Sequence, residues 1–267
     1  MKSVVVTGSS KGIGLGLARE FLRRNCAVVI SARGRERLDR AVDTLGQDFG
    51  RDRVLGKTCD VTDVLQLQKL WDVAKDRFGT VDIWINNAGI ANKTAPLCEL
   101  DPRQISAVMD TNLKGVILAT QVALRGMLAQ GSGQIYNSEG FGSDDKIIAG
   151  LSVYGSTKRG VRYFSEAMAE EMSDQPVQIG TISPGIVITD FLIDDMRTMD
   201  SEKLETVKVV YNTVGDTVAS VTPFLAEEVL NNRENGRRIV WLTDEEANRR
   251  FADEKYYSRD FFTEKGL

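Results

Sequence analysis

Of the six tyrosines in the chain, only Tyr154 is followed four residues later by a lysine, in Tyr154-Gly155-Ser156-Thr157-Lys158. Positions i and i+4 share one face of a helix, so the Lys158 ammonium can approach the phenol. A free tyrosine titrates near ~10, too high for a base at neutral pH, and a nearby cation favours the phenolate and lowers that value. The pair can therefore move a proton. A surface helix pair has the same spacing, so the surroundings must decide between the two. A second chemical feature lies near the start, where Thr7-Gly8-Ser9-Ser10-Lys11-Gly12-Ile13-Gly14 leads from an apolar run into a helical pattern. Glycines here let the backbone turn sharply and approach a pyrophosphate, to which a helix N-terminus offers free N–H groups. Gly8, Ser10, Gly12, Ile13 and Gly14 are thus candidate cofactor contacts.

The end of the second apolar run indicates which dinucleotide. A carboxylate there would bind the adenosine ribose of NAD and repel a 2′-phosphate. This chain reads Ile30-Ser31-Ala32-Arg33, with no acidic residue before Glu36. Arg33 offers a bidentate fork to a phosphate and Lys11 a second cation, a combination that favours NADP(H) over two solvated surface charges. Asp60, with Val61 beside it, closes the third run and can accept from an adenine amino group, while Asp63 reads as a helix N-cap. After the fourth run, Asn86-Asn87-Ala88-Gly89 puts small residues where a backbone must pass close to a ligand.

Composition removes several chemistries. No histidine occurs among the 267 residues, which excludes Ser–His and Cys–His pairs and imidazole proton shuttles. A net charge of −4 argues against nucleic acid as a partner. Cys26, Cys59 and Cys98 form no CxxC pair, and each is expected to be a small buried hydrophobe in a reducing, cytoplasmic setting. No apolar run approaches the ~18 residues of a membrane span, and Met1-Lys2 leads directly into Val4-Val5-Val6 without a signal-peptide pattern.

The elements that must position these groups follow from the periodicity. Strand patterns fall at residues 3–7, 27–31, 54–57, 83–86, 134–137, 177–182 and 238–242, alternating with helical patterns at about 12–24, 35–49, 64–77, 101–130 and 154–173. No linker or repeat divides the chain. The expected fold is α/β: a single doubly wound parallel seven-stranded sheet of the Rossmann type, over residues 1–267. Two regions break the alternation. Residues 190–224 read as an insertion that covers a substrate or as an exposed helical hairpin. Residues 244–267 carry Phe251, Tyr256, Tyr257, Phe261 and Phe262, too many aromatics for a solvated tail, and are expected to dock on the body or on a sister subunit.

As a set, TGSSKGIG, NNAG, Asn112 in DTNLKG, YGSTK and Pro184-Gly185-Ile186-Val187-Ile188-Thr189 resemble the motifs of short-chain dehydrogenases/reductases, in the order and spacing of that family over residues 3 to 190. The resemblance implies an oxidoreductase that transfers hydride between a nicotinamide and a small-molecule carbonyl or alcohol. In it Tyr154 would be the general acid/base, and Lys158 would bind the nicotinamide ribose and depress the tyrosine's pKa. Asn112 would hold a water linking Lys158 to solvent, the alternative being a helix-bending amide satisfied nearby. Asn87, Ala88 and Gly89 would line the adenosine-ribose side. In the stretch from Pro184 and Gly185 onward, Val187 would contact the carboxamide through its backbone and Thr189 the phosphates. The family also implies a homodimer or homotetramer, paired through helices at residues 112–130 and 154–173.

One element departs from the family pattern. The expected serine, 12 to 14 residues before the tyrosine, is replaced by Gly140, Phe141 and Gly142, and Glu139 stands where a hydroxyl is usual. Ser138, Ser143 or backbone N–H groups are the alternatives for holding the substrate oxygen, and strand alternation favours Ser138. The run Asn137-Ser138-Glu139-Gly140-Phe141-Gly142-Ser143, with SPGIVITDFL, resembles the chlorophyll b reductase branch, whose members reduce a formyl group on a tetrapyrrole with NADPH. A glycine at position 140 would open room for such a flat substrate. A 3-oxoacyl or steroid-type ketone reductase, and an NADP(H)-binding sensor or scaffold of weak activity, are the competing readings.

Overall fold

The alternating patterns become strands and helices in chain order in the computed structural model, which describes residues 1–144 and 146–267. They are β1 (Ser3–Val6), α1 (Gly12–Arg23), β2 (Ala27–Ala32), α2 (Arg35–Phe49), β3 (Val54–Thr58), α3 (Val64–Phe78) and β4 (Ile83–Asn86). After them come α4 (Pro102–Met109), α5 (Gly115–Gln130), β5 (Gly133–Ser138), α6 (Ser152–Glu171) and β6 (Val177–Ser183). The remainder is β7 (Val187–Ile188), α7 (Asp190–Met196), α8 (Ser201–Val214), β8 (Asp216–Thr217), α9 (Val218–Asn231), β9 (Arg238–Val240) and α10 (Asp244–Phe251).

Seven strands form one parallel sheet in the order β3-β2-β1-β4-β5-β6-β9, as the doubly wound reading requires. Both faces are covered, so the strands are apolar on both sides. Val4 and Val6 face one layer with Leu17, Phe21, Leu38 and Val221, while Val5 faces the other with Trp71, Trp84, Ala119 and Met127. The order reverses between β1 and β4, and a crevice opens beyond the C-terminal ends of those strands. Asp63 caps α3 as read, accepting from Leu65 N (2.9 Å) and Gln66 N (3.2 Å). Among the described residues no helix is long and apolar enough to cross a membrane.

Three details differ from the sequence reading, and a fourth narrows it. The last strand stops at Val240 instead of Leu242. The segment at 190–224 is not one insertion, because Val218–Phe224 begins α9, a body helix against α1. Gly16 allows that packing: a β-carbon there would lie 2.4 Å from Val218 Cγ1 and 2.8 Å from Thr222 Cγ2. Cys26 and Cys59 are buried, but Cys98 is exposed because it sits on a surface 3-10 turn, Leu97–Glu99. The aromatic tail docks on its own chain, where Phe262 is wholly buried in a small separate core with Ile193 and Met196.

Candidate active site

Two loops, after β1 and after β4, form the floor at the reversal point. Gly8 (φ +63°) and Gly12 (φ +58°) take a left-handed backbone that L side chains rarely adopt. At Gly8 a β-carbon would also come within 2.6 Å of Ala88 Cα, and at Gly14 within 2.5 Å of Asn87 Nδ2. The Asn87 amide donates to Thr7 O (2.9 Å) and Gly8 O (3.1 Å), joining the two loops. Ser9 completes the turn by donating to Val6 O (2.6 Å) and accepting from Ser31 N (2.9 Å).

From this floor a cleft of about 930 Å³ runs to Tyr154 and Lys158. Its walls contain Gly8, Ser10, Lys11, Gly12, Ile13, Gly14, Arg33, Asp60, Val61, Asn87, Ala88, Gly89, Ser138, Tyr154, Lys158, Pro184 and Thr189 of the residues singled out above. Asn112, Gly185 and Val187 are outside the wall, the last with its side chain in the main core. Arg33 has no acidic partner among the described residues, and Lys11 has only a long, exposed pairing with Asp190 (3.7 Å). A cradle of main chain bounded by two such cations fits a phosphorylated dinucleotide. Asp60 Oδ1 accepts from Thr62 N (3.0 Å) and Thr62 Oγ1 (2.8 Å), so Thr62 sets how the carboxylate faces the cleft.

Tyr154 lies in the first turn of α6, and that turn is capped from a distance. Buried Asn92, on the loop after β4, accepts from Tyr154 N (3.2 Å) and donates to Gly150 O (3.2 Å). Asn112 sits in a π turn (Asp110–Lys114) between α4 and α5, a distortion that recurs at functional sites. Its amide donates to Ile90 O (2.7 Å) and Thr157 Oγ1 (3.3 Å), and its oxygen accepts from Ile90 N (2.8 Å). The expected water-holding amide is therefore engaged as a clamp between the loop after β4 and α6.

Lys158 is 5% exposed, and its ammonium donates to Ser138 O (3.0 Å), 5.8 Å from the centre of the Tyr154 ring. Burial pushes the Lys158 ammonium down to about 8, opposed by the Glu139 carboxylate. Burial pushes Tyr154 up to about 12, because desolvation disfavours the phenolate. Burial thus favours the neutral phenol at Tyr154.

The missing serine now has a steric account. A β-carbon at Gly140 would lie 2.5 Å from Tyr154 Oη and 3.1 Å from Lys158 Cε. The glycine does not open room for substrate, as the sequence suggested; the tyrosine and the lysine stem occupy that space. Of the two nearby hydroxyls, Ser143 donates to Glu139 Oε2 (3.0 Å). Among the described residues, buried Ser138 Oγ in the cleft wall has no hydrogen-bond partner.

Glu139 was recognised in the sequence only as a departure. Its buried carboxylate accepts from Arg238 Nε (2.9 and 3.0 Å), Arg238 Nη2 (2.7 Å) and Thr181 Oγ1 (2.8 Å). Burial alone would raise its pKa, but the guanidinium and the Thr181 hydroxyl outweigh that and hold it below the usual range. Phe191, from α7, was also missed; its ring centre lies 6.4 Å from that of Tyr154. Neither signal is local, since Arg238 is 99 residues from Glu139 in the chain.

The short chain dehydrogenase family model matches residues 2–200. The chain is 34% identical over 258 residues to the probable chlorophyll(ide) b reductase NYC1 of Oryza sativa subsp. japonica, covering 91% of this chain and 50% of that protein. It is 37% identical over 205 residues to chlorophyll(ide) b reductase NOL of Arabidopsis thaliana, covering 75% of this chain and 59% of that one. It therefore spans about half of the first relative's length and three-fifths of the second's. Among solved structures, the closed form of serine dehydrogenase complexed with NADP+ superposes with a TM-score of 0.78 at 27% identity, covering 90% of this chain and 94% of that one. By motif, sheet order and site geometry alike, the chain belongs to the short-chain dehydrogenase family of oxidoreductases.

Proposed function

We propose that the chain is an NADPH-dependent carbonyl reductase acting on an aldehyde, with the formyl group of a chlorophyll-like tetrapyrrole as the substrate its relatives favour. The observation that carries this reading is one continuous cleft, with the glycine cradle and Arg33 at one end and Tyr154, Lys158 and Ser138 at the other, where neither Arg33 nor the Ser138 hydroxyl has a partner among the described residues. Gly8, Ser10, Gly12, Ile13 and Gly14 would hold the pyrophosphate, Arg33 and Lys11 the 2′-phosphate, and Asp60 the adenine. Bound NADPH supplies a hydride to the carbonyl carbon. Tyr154, protonated at neutral pH, donates its proton to the carbonyl oxygen, and Ser138 Oγ gives that oxygen a second hydrogen bond. Lys158 contributes its charge beside the tyrosine and is the route by which the proton is replaced. The balance is one aldehyde, one NADPH and one proton to one primary alcohol and one NADP+.

The test is NADPH oxidation against chlorophyllide b, simple aromatic aldehydes, an acyl thioester ketone and a steroid ketone. Turnover of an aldehyde is expected, with kcat reduced about 100- to 10,000-fold in Tyr154→Phe. Equal turnover in that variant would overturn the assignment. Thioester or steroid turnover alone would move it to a ketone reductase, and tight NADPH binding with no turnover to a sensor.

Two further readings accompany this one. Exposed Ile117 and Leu128 on α5 and Tyr163 on α6 support pairing of two copies through those helices, which sedimentation would detect. The three cysteines, none in a disulfide, support a reducing compartment such as the cytoplasm.

A further inference from the structure

The roof of the cleft beside Tyr154 is α7, a seven-residue helix, too short to hold its place alone. Its Phe191 ring lies beside that of Tyr154, and its Asp195 accepts from Thr94 Oγ1 (3.1 and 3.0 Å) on the loop after β4. What lies behind the roof is the C-terminal tail. Phe262, wholly buried, packs with Ile193 and Met196 of α7 in a core separate from the two that sandwich the sheet.

A second attachment enters through Asp216 in β8, which pairs with β7, the strand that leads into α7. Arg250 Nη1 (2.7 Å), Arg259 Nη2 (3.0 Å) and Trp241 Nε1 (2.7 Å) all donate to that one carboxylate. Arg259 Nη1 also donates to Thr213 O (3.2 Å), and Phe261 N to Asn212 Oδ1 (3.0 Å), so α8 is tied in as well. The tail thus grips the roof at its apolar underside and at the strand that feeds it. The residues that make the grips, Phe262, Arg250, Arg259 and Asp216, lie beyond residue 200, where the family match ends.

We propose that the C-terminal tail, through Phe262 and the Arg250–Asp216–Arg259 cluster, positions the α7 roof over Tyr154 and so sets the substrate affinity of this chain. These are positioning residues: they reach the substrate only through Phe191. The glycine cradle is held by the Asn87 amide, and among the described residues its ion pair with α7 is the long, exposed Lys11–Asp190 pairing (3.7 Å), so cofactor and substrate binding are expected to separate. This inference rests on the carbonyl reductase reading for its kinetic arm but not for its structural arm.

The experiment uses the full chain with Phe262→Ala, Phe262→Leu and Arg259→Ala. Amide hydrogen exchange is read over α7 and α2, together with NADPH affinity and, where wild type turns over chlorophyllide b or an aromatic aldehyde, KM and kcat. Phe262→Ala is expected to speed exchange in α7 at least tenfold while leaving α2 unchanged. It should raise aldehyde KM about tenfold with NADPH affinity within twofold, and Phe262→Leu should recover most of both. Arg259→Ala, which leaves no core cavity, should move the same readouts about threefold and serves if Phe262→Ala does not fold. Unchanged α7 exchange in these variants, or parallel losses of aldehyde and NADPH binding, would overturn the proposal. An inactive wild type with the exchange effect intact would strike the reductase reading and leave the tail's role standing.

Discussion

At one end of the cleft, Gly8, Gly12, Gly14 and Asn87 are held by main-chain contacts between the loops after β1 and β4. At the other, Glu139 pairs with Arg238, Phe191 lies beside Tyr154 and Phe262 packs under α7, side-chain contacts between separate stretches of chain. The first end tolerates almost no change of residue type, because backbone conformation and backbone approach dictate it. The second leaves identity free as long as charge and shape match across the gap, which is how a family serine can become Gly140 while Tyr154 stays in place. The cofactor end is therefore set by backbone geometry, and the substrate end by side-chain contacts particular to this chain.

Gly8→Ala should cause the largest effect, since it combines a φ of +63° with a β-carbon 2.6 Å from Ala88 Cα. We expect about 2–4 kcal/mol of destabilisation and loss of NADPH binding, measured by denaturant unfolding and titration. Gly79→Ala is the control: its φ is +80° but nothing lies within 4 Å, so only about 1 kcal/mol should be lost. Equal costs at the two glycines would break the claim that close approach, as well as conformation, governs the cofactor end.

Glu139→Gln probes the other end. It leaves Arg238 without its anion, and a loss of about 1–3 kcal/mol is expected by denaturant unfolding. Its more telling effect is on pH. Lys158 is cationic below about 8, so carbonyl reduction should decline as pH rises through that value, while Tyr154, near 12, stays protonated. Glu139 opposes the fall in the lysine's pKa, so its removal should shift the descending limb of kcat/KM to lower pH. A limb that does not move would show that the carboxylate only braces the loop.

Arg33→Ala should be smaller again. About tenfold weaker NADPH binding with NADH binding unchanged is expected from losing one charge-assisted phosphate contact. Equal weakening of both cofactors would place Arg33 elsewhere than at the 2′-phosphate.

Much of the first end could be read from the chain alone. The strand runs, the glycine loop and the Tyr154–Lys158 spacing are local patterns, set by the period of a strand, the turn of a helix and the φ that only glycine reaches easily. Even the departure at Gly140 was visible. Its consequence was not, because the space above that glycine depends on where α6 packs. Likewise the aromatic tail announced itself by composition, but composition does not say which surface receives Phe262.

What the sequence determined by itself was the fold, the place of the glycine turn and the spacing of Tyr154 and Lys158 on one helix face, all read from patterns within a few residues. The tertiary structure alone decided that, among the described residues, Ser143 and not Ser138 has its hydroxyl engaged, that Glu139 is paired with Arg238, and that burial raises the pKa of Tyr154. Each of these depends on burial and on contacts between distant segments. Desolvation and long-range pairing arise only once the chain has closed on itself, and no local pattern encodes them.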